Sequence, residues 1–159
     1  MIVDDNGNML NLVGTILLAL GVRDTFEALD GETALSELRH FKPDIIITDW
    51  HMEPMNGVEF VKKVRRGKHS PDPFVPIIML TGHTEMSLVF EARDAGINEF
   101  LVKPISPKSL HARITAILDG TRPFIQSEAY FGPCRCRRNV GPPNGGRERR
   151  QDVRARASA

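Results

Sequence analysis

Residues 44–57 read DIIITDWHMEPMNG, and this stretch decides the fold. Three consecutive isoleucines, Ile45 to Ile47, leave no polar face. A strand is apolar on both sides when helices cover both faces of a parallel sheet. The run ends at Asp49, which sets a carboxylate at the carboxyl end of a buried strand. Asn56 and Gly57 then sit where a helix begins, and Phe60, Val61 and Val64 give that helix an apolar stripe.

The same alternation recurs on both sides. Upstream, the short apolar run MIV (1–3) leads into a helical pattern in which Leu10, Val13, Leu17 and Leu20 share a face and Gly21 closes it. DTFEAL (24–29) reads as a strand. A helix from about Glu32 to His40 turns Ala34, Leu35, Leu38 and Phe41 inward. Downstream, three prolines make KHSPDPFVP (68–76) a loop. IIML (77–80) is a second fully apolar strand. The segment from Thr84 to Ala95 is predicted helical and ends at Gly96, suited to a left-handed residue. EFLV (99–102) is a fifth strand. Ser106 as N-cap and Pro107 at the first position then open a helix carrying Leu110, Ile114, Ile117 and Leu118 inward. Five strand–helix repeats predict an α/β fold with an open, doubly wound sheet.

A chain of 159 residues, 41% hydrophobic, has room for one ordinary domain and an extension. The net charge of +1 hides a split: residues 1–132 hold 13 Lys/Arg against 18 Asp/Glu, whereas 133–159 hold eight Arg against Glu148 and Asp152. The expected organisation is a folded domain over 1–119, a partly apolar linker over 120–132 and a basic, disordered tail over 133–159. Cys134 and Cys136 form a lone CxC, short of the four ligands of a structural zinc site, and read as reduced thiols. The most apolar stretch, residues 9–22, is shorter than the roughly 20 residues of a membrane span and is broken by Asn11, Gly14 and Thr15. The start is acidic, unlike a signal peptide. The expectation is a cytoplasmic protein with no membrane partner.

Ligand sites of parallel α/β sheets lie beyond the carboxyl ends of the strands. There the sequence puts Asp4–Asp5, Asp49, Thr81 and Lys103–Pro104. Two carboxylates about 4 Å apart repel by roughly 4 kcal/mol at an effective dielectric near 20. Lys103 supplies a single positive charge against three carboxylates. A divalent ion bound through oxygen would complete the balance, and Mg²⁺ suits few carboxylates, several waters and phosphate oxygens. The constellation reads as a phosphoryl-transfer site with a carboxylate nucleophile, a metal, a lysine and a hydroxyl.

IVDDN, DIIITDWHMEPMNG, IIMLTG and EFLVKPIS, in this order and spacing, resemble the receiver domain of bacterial two-component response regulators, over roughly residues 1–119. The resemblance implies a flavodoxin-like sheet in the order 2-1-3-4-5. It implies Asp49 as the phosphoacceptor, charged by a histidine kinase or phosphotransfer protein. Mg²⁺ would be held by Asp5 directly, by Asp4 largely through water, by Asp49 and by the backbone carbonyl of His51. Thr81 and Lys103 would stabilise the phosphoryl group, Lys103–Pro104 would be cis, and Phe100 would be the switch aromatic. His51 and His83 stand where the family tunes hydrolysis; a transition-metal site is the lesser reading for this pair.

The output would be a protein contact through the face of the fourth helix (84–95), the fifth strand and the fifth helix. Nucleic-acid binding by the tail is the less favoured reading. No turnover enzyme is expected, only the chemistry of gaining and losing the phosphoryl group. The family alternative is a receiver module of a hybrid kinase or a phosphorelay intermediate. An aspartyl-phosphate phosphatase fits less well, because its second acid would stand where this chain has His51. A nucleotide-binding module would need a glycine-rich loop that DDNGNML lacks. Glu53 between Met52 and Pro54 departs from the commoner loop without changing the distance from Asp49 to Gly57. The first strand is short for a central position, which is read as a late start through a misplaced initiation or a truncation.

Overall fold

The computed structural model of the chain describes residues 1–67, 70–82, 93–120, 123–126 and 130–134. Strands β1 (Ile2–Val3), β2 (Glu27–Ala28), β3 (Ile46–Asp49), β4 (Ile77–Thr81) and β5 (Glu99–Val102) form one sheet, ordered β2-β1-β3-β4-β5. Every neighbouring pair is parallel. Helices α1 (Gly7–Ala19), α2 (Gly31–Glu37), α3 (Gly57–Arg66) and α4 (Pro107–Asp119) are the connecting layers. The fourth helix expected from the sequence lies mostly outside the described residues; 93–95 are helical. α4 is therefore the fifth helix of the sequence pattern.

The isoleucine run works as its composition requires. Successive side chains of a strand point to opposite faces, so Ile46, Ile77 and Met79 join Phe60, Val61 and Val64 in one core, beneath α2 and α3. Ile47, Ile78 and Leu80 join Leu10, Val13, Leu17 and Leu110 in a second core, beneath α1 and α4. The sheet is buried on both sides, and among the described residues neither core shares a residue with the other.

Local chemistry sets the helix starts. Asn6, Asp30, Asn56 and Ser106 cap α1 to α4, each side chain accepting a backbone N–H of the first turn. Ser106 and Ser109 form a reciprocal capping box, with Pro107 at the first helical position. Gly21 (φ +92°) and Gly96 (φ +101°) take the left-handed conformation that stops a helix.

Four expectations change. The second strand is two residues rather than the six of DTFEAL. The second helix runs from Gly31 to Glu37, ending before His40. Leu118 is 68% exposed rather than inward, because it lies at the edge of the stripe made by Leu110, Ile114 and Ile117. Where the sequence suggested a linker over 120–132, two further strands, β6 (Phe124–Gln126) and β7 (Phe131–Pro133), pair antiparallel. Cys134 N–H closes this hairpin onto Pro123 O at 2.8 Å. Residues 135–159 of the basic tail lie outside the described residues.

Candidate functional site

The carboxyl ends of β1, β3, β4 and β5 deliver their polar residues to one rim. Asp4 follows β1 and is 1% exposed, with its N–H bonded to Ala28 O at 3.1 Å. Its Oδ1 accepts the N–H of Asn6 at 2.9 Å, so the residue that caps α1 also orients the first carboxylate. Asp5 is exposed beside it. Asp49 ends β3 and Thr81 ends β4; both are buried. Lys103 follows β5, its N–H bonded to Thr81 O at 2.8 Å. Its Nζ stands 2.9 Å from Asp49 Oδ1 and 3.4 Å from Asp4 Oδ2.

Asp4, Asp5 and Asp49 each bring a carboxylate oxygen within 4.8 Å of the other two. Oxygens sharing one octahedral Mg²⁺ are roughly 3–4 Å apart, given bond lengths near 2.1 Å. A modest contraction therefore fits this donor set to the ion, and the exposure of Asp5 leaves a face for water and phosphate. The electrostatics agree. Burial raises the Asp4 carboxyl above the usual carboxylate range, opposed by the Asn6 N–H and Lys103 and reinforced by the charge of Asp49. Burial pulls the Lys103 ammonium down, but the hydrogen bonds and charges of Asp49 and Asp4 outweigh it, leaving a net rise. Lys103 is a firmly protonated cation holding two carboxylates, and the third lies outside its ion pairs among the described residues.

Around this centre, Trp50 is buried in the core under α2 and α3, while His51 is exposed with its ring 6.4 Å from that of Trp50. The loop onward to α3 buries Met52 and Met55 and exposes Glu53 and Pro54. Both Glu53–Pro54 and Lys103–Pro104 are cis. Phe100 is half-buried, opposite Met79 in the β4–β5 register and packed against the same core as Trp50. His83 lies outside the described residues. Asp4, Asp5, Asp49 and Lys103 are thus brought into one cluster, with Thr81 adjoining through the Lys103 backbone.

One contributor went unnoticed in the sequence. A side chain added at Gly57 would place its Cβ 2.1 Å from the backbone oxygen of Asp49, so only glycine lets α3 begin against the end of β3. Gly57 N–H also bonds Trp50 O at 2.8 Å. In the sequence this residue signalled only a helix start; the cue to its second role was its place one loop after a buried strand.

Residues 1–115 match the family model described as the response regulator receiver domain. The chain belongs to this family. It is 38% identical over 119 residues to the chemotaxis protein CheY homolog of Campylobacter jejuni, covering 74% of this chain and 90% of that one. It is 34% identical over 119 residues to the chemotaxis protein CheY-3 of Vibrio cholerae, covering 75% and 90%. Among solved structures, Vibrio cholerae CheY4 superposes with a TM-score of 0.67 at 34% identity, over 73% of this chain and 94% of that one. The chain is a CheY-like receiver domain of a two-component response regulator, with the five-stranded parallel sheet in the order 2-1-3-4-5. No helix among the described residues is long and apolar enough to cross a membrane.

Proposed function

We propose that this receiver is a phosphoacceptor in which Asp49 takes a phosphoryl group from a histidine kinase or phosphotransfer protein. The observation that carries it is the buried Asp49 carboxylate, 2.9 Å from Lys103 Nζ and within 4.8 Å of two further carboxylates. An Asp49 oxygen attacks phosphorus as the phosphorus–nitrogen bond of the donor phosphohistidine breaks, and the imidazole leaves with that electron pair. Mg²⁺, held by Asp4, Asp5, Asp49 and the His51 carbonyl, would neutralise the phosphoryl oxygens. Lys103 keeps one such oxygen in an ion pair and Thr81 donates its hydroxyl to another. His51, exposed beside the site, meets the water that later hydrolyses the acylphosphate. The protein is a switch, not a turnover enzyme. Phosphorylation adds charge and acceptor oxygens, Thr81 and Phe100 shift in response, and the face carrying β5 and α4, with Val102 44% exposed, contacts the downstream protein.

Incubation of the full chain with acetyl phosphate and Mg²⁺ should add one phosphate mass, and none to Asp49→Asn. Trp50 fluorescence should change on titration with Mg²⁺ or with beryllofluoride. A wild-type chain that stays unmodified and spectroscopically flat would sink the proposal.

A further inference from the structure

The C-terminal hairpin packs where three elements meet, at the end of the sheet opposite Asp49. Phe124 stacks edge-on against Phe74, centroids 5.2 Å apart at 81°, and covers the guanidinium of Arg65 at 5.2 Å. Arg65 comes from the last turn of α3 and is only 4% exposed. Its donors reach Gly96 O (3.0 Å), Pro73 O (2.9 Å), Val75 O (2.7 Å) and Asn98 Oδ1 (3.0 Å). Asn98 Oδ1 also accepts the N–H of Ile77. From β7, Gly132 lies so close to Gly96 that a Cβ on it would stand 2.6 Å from the Gly96 Cα. Tyr130 is buried beside it, its hydroxyl donating to Pro133 O.

The hairpin therefore abuts Gly96 directly and covers Arg65, which bonds Gly96 and Asn98, in the turn (96–98) joining helical residues 93–95 to β5. Two residues beyond that turn the chain reaches the half-buried Phe100, and then Lys103. We propose that the hairpin is a strap that holds this turn in its resting position, so that its docking opposes the phosphorylation switch. The proposal rests on the phosphoacceptor reading. Because coupling between two sites is reciprocal, an occupied phosphoryl pocket must loosen the hairpin by the same factor that the docked hairpin weakens occupancy.

The test uses the full 159-residue chain. Hydrogen exchange over residues 123–134 is measured with and without beryllofluoride and Mg²⁺, with Trp50 fluorescence reporting saturation. Exchange in the hairpin should quicken about fivefold on saturation. In Phe124→Ala, the beryllofluoride midpoint should fall about fivefold, while Phe124→Tyr, which keeps a ring over Arg65, should titrate like wild type. A saturable Trp50 response with unaltered hairpin exchange, or equal midpoints for wild type and Phe124→Ala, overturns the strap and leaves the phosphoacceptor reading standing. A wild type that neither responds at Trp50 nor takes up phosphate overturns both. The exchange experiment needs no variant, so a poorly folding Phe124→Ala does not shield the proposal.

Discussion

At the scale of single residues, the site depends on what is missing as much as on what is charged. Gly57 has no side chain because the Asp49 carbonyl occupies that space, 2.1 Å from where a Cβ would sit, with the Met79 methyl at 3.0 Å. Gly57→Ala must therefore push α3 off β3 or displace Asp49. The expected loss is about 2–3 kcal/mol in urea unfolding, together with slower uptake from acetyl phosphate. Gly7→Ala is the control: nothing among the described residues lies within 4 Å of its Cβ position, and alanine there should be neutral or slightly stabilising. The adjacent acids Asp4 and Asp5 divide their labour by burial. Asp4 is enclosed and tied to Asn6 and Lys103, whereas Asp5 faces solvent.

At the scale of elements, β1 is the weak strand. It holds two residues against the four of β3, and the Met1 amine donates to Ile45 O at 3.0 Å. Burial lowers that amine from 8.0 to about 6, opposed by Asp44. Between these values the unfolded chain holds more proton than the folded one, so stability should rise with pH from 6 to 8. A drop of that size bounds the effect at roughly 3 kcal/mol. Met1 lines a cavity of about 500 Å³ together with Leu17, Phe41, Ile45, Ile47 and Ile114. A variant extended by about four apolar residues ahead of Met1, at ~3.3 Å per residue, should melt higher and lose this pH slope. Thermal scans at pH 6 and pH 8 check both, and an unaltered slope would contradict the assignment to the amine.

At the scale of the whole molecule, Arg65 ties α3, the approach to β4, the turn before β5 and the hairpin into one body. Burial lowers its guanidinium to about 10, with Asp72 and Tyr130 opposing, so it remains protonated at neutral pH. Its charge is met by carbonyl and amide oxygens under an aromatic cover. Arg65→Ala would take the guanidinium donors away from the Gly96, Pro73 and Val75 carbonyls, while Asn98 Oδ1 keeps the Ile77 N–H, at a cost of roughly 3 kcal/mol. It should also expose the hairpin to limited proteolysis near residue 123 while phosphate uptake at Asp49 survives. Retained protease resistance would show that the hairpin docks without Arg65.

The sequence by itself determined the layered sheet, because apolar runs such as Ile45–Ile47 and Ile77–Leu80 permit burial only between two helical layers. It also determined the rim, since acids, a hydroxyl and a lysine at four strand ends must meet where parallel strands finish together. Element lengths were less legible. β2 shrinks to two residues because its pairing is limited by the two of β1, a property of the partner strand. Only the tertiary structure decided the roles of Gly57 and Arg65. In sequence, Gly57 is one glycine at a helix start and Arg65 is one of the basic residues in the last turn of α3. Their roles come from what the fold brings against them across long separations: Gly96 is 31 positions from Arg65, and Phe124 lies beyond α4. Local pattern encodes burial and element type, whereas the specific neighbour of a buried polar group is fixed only when the chain closes on itself.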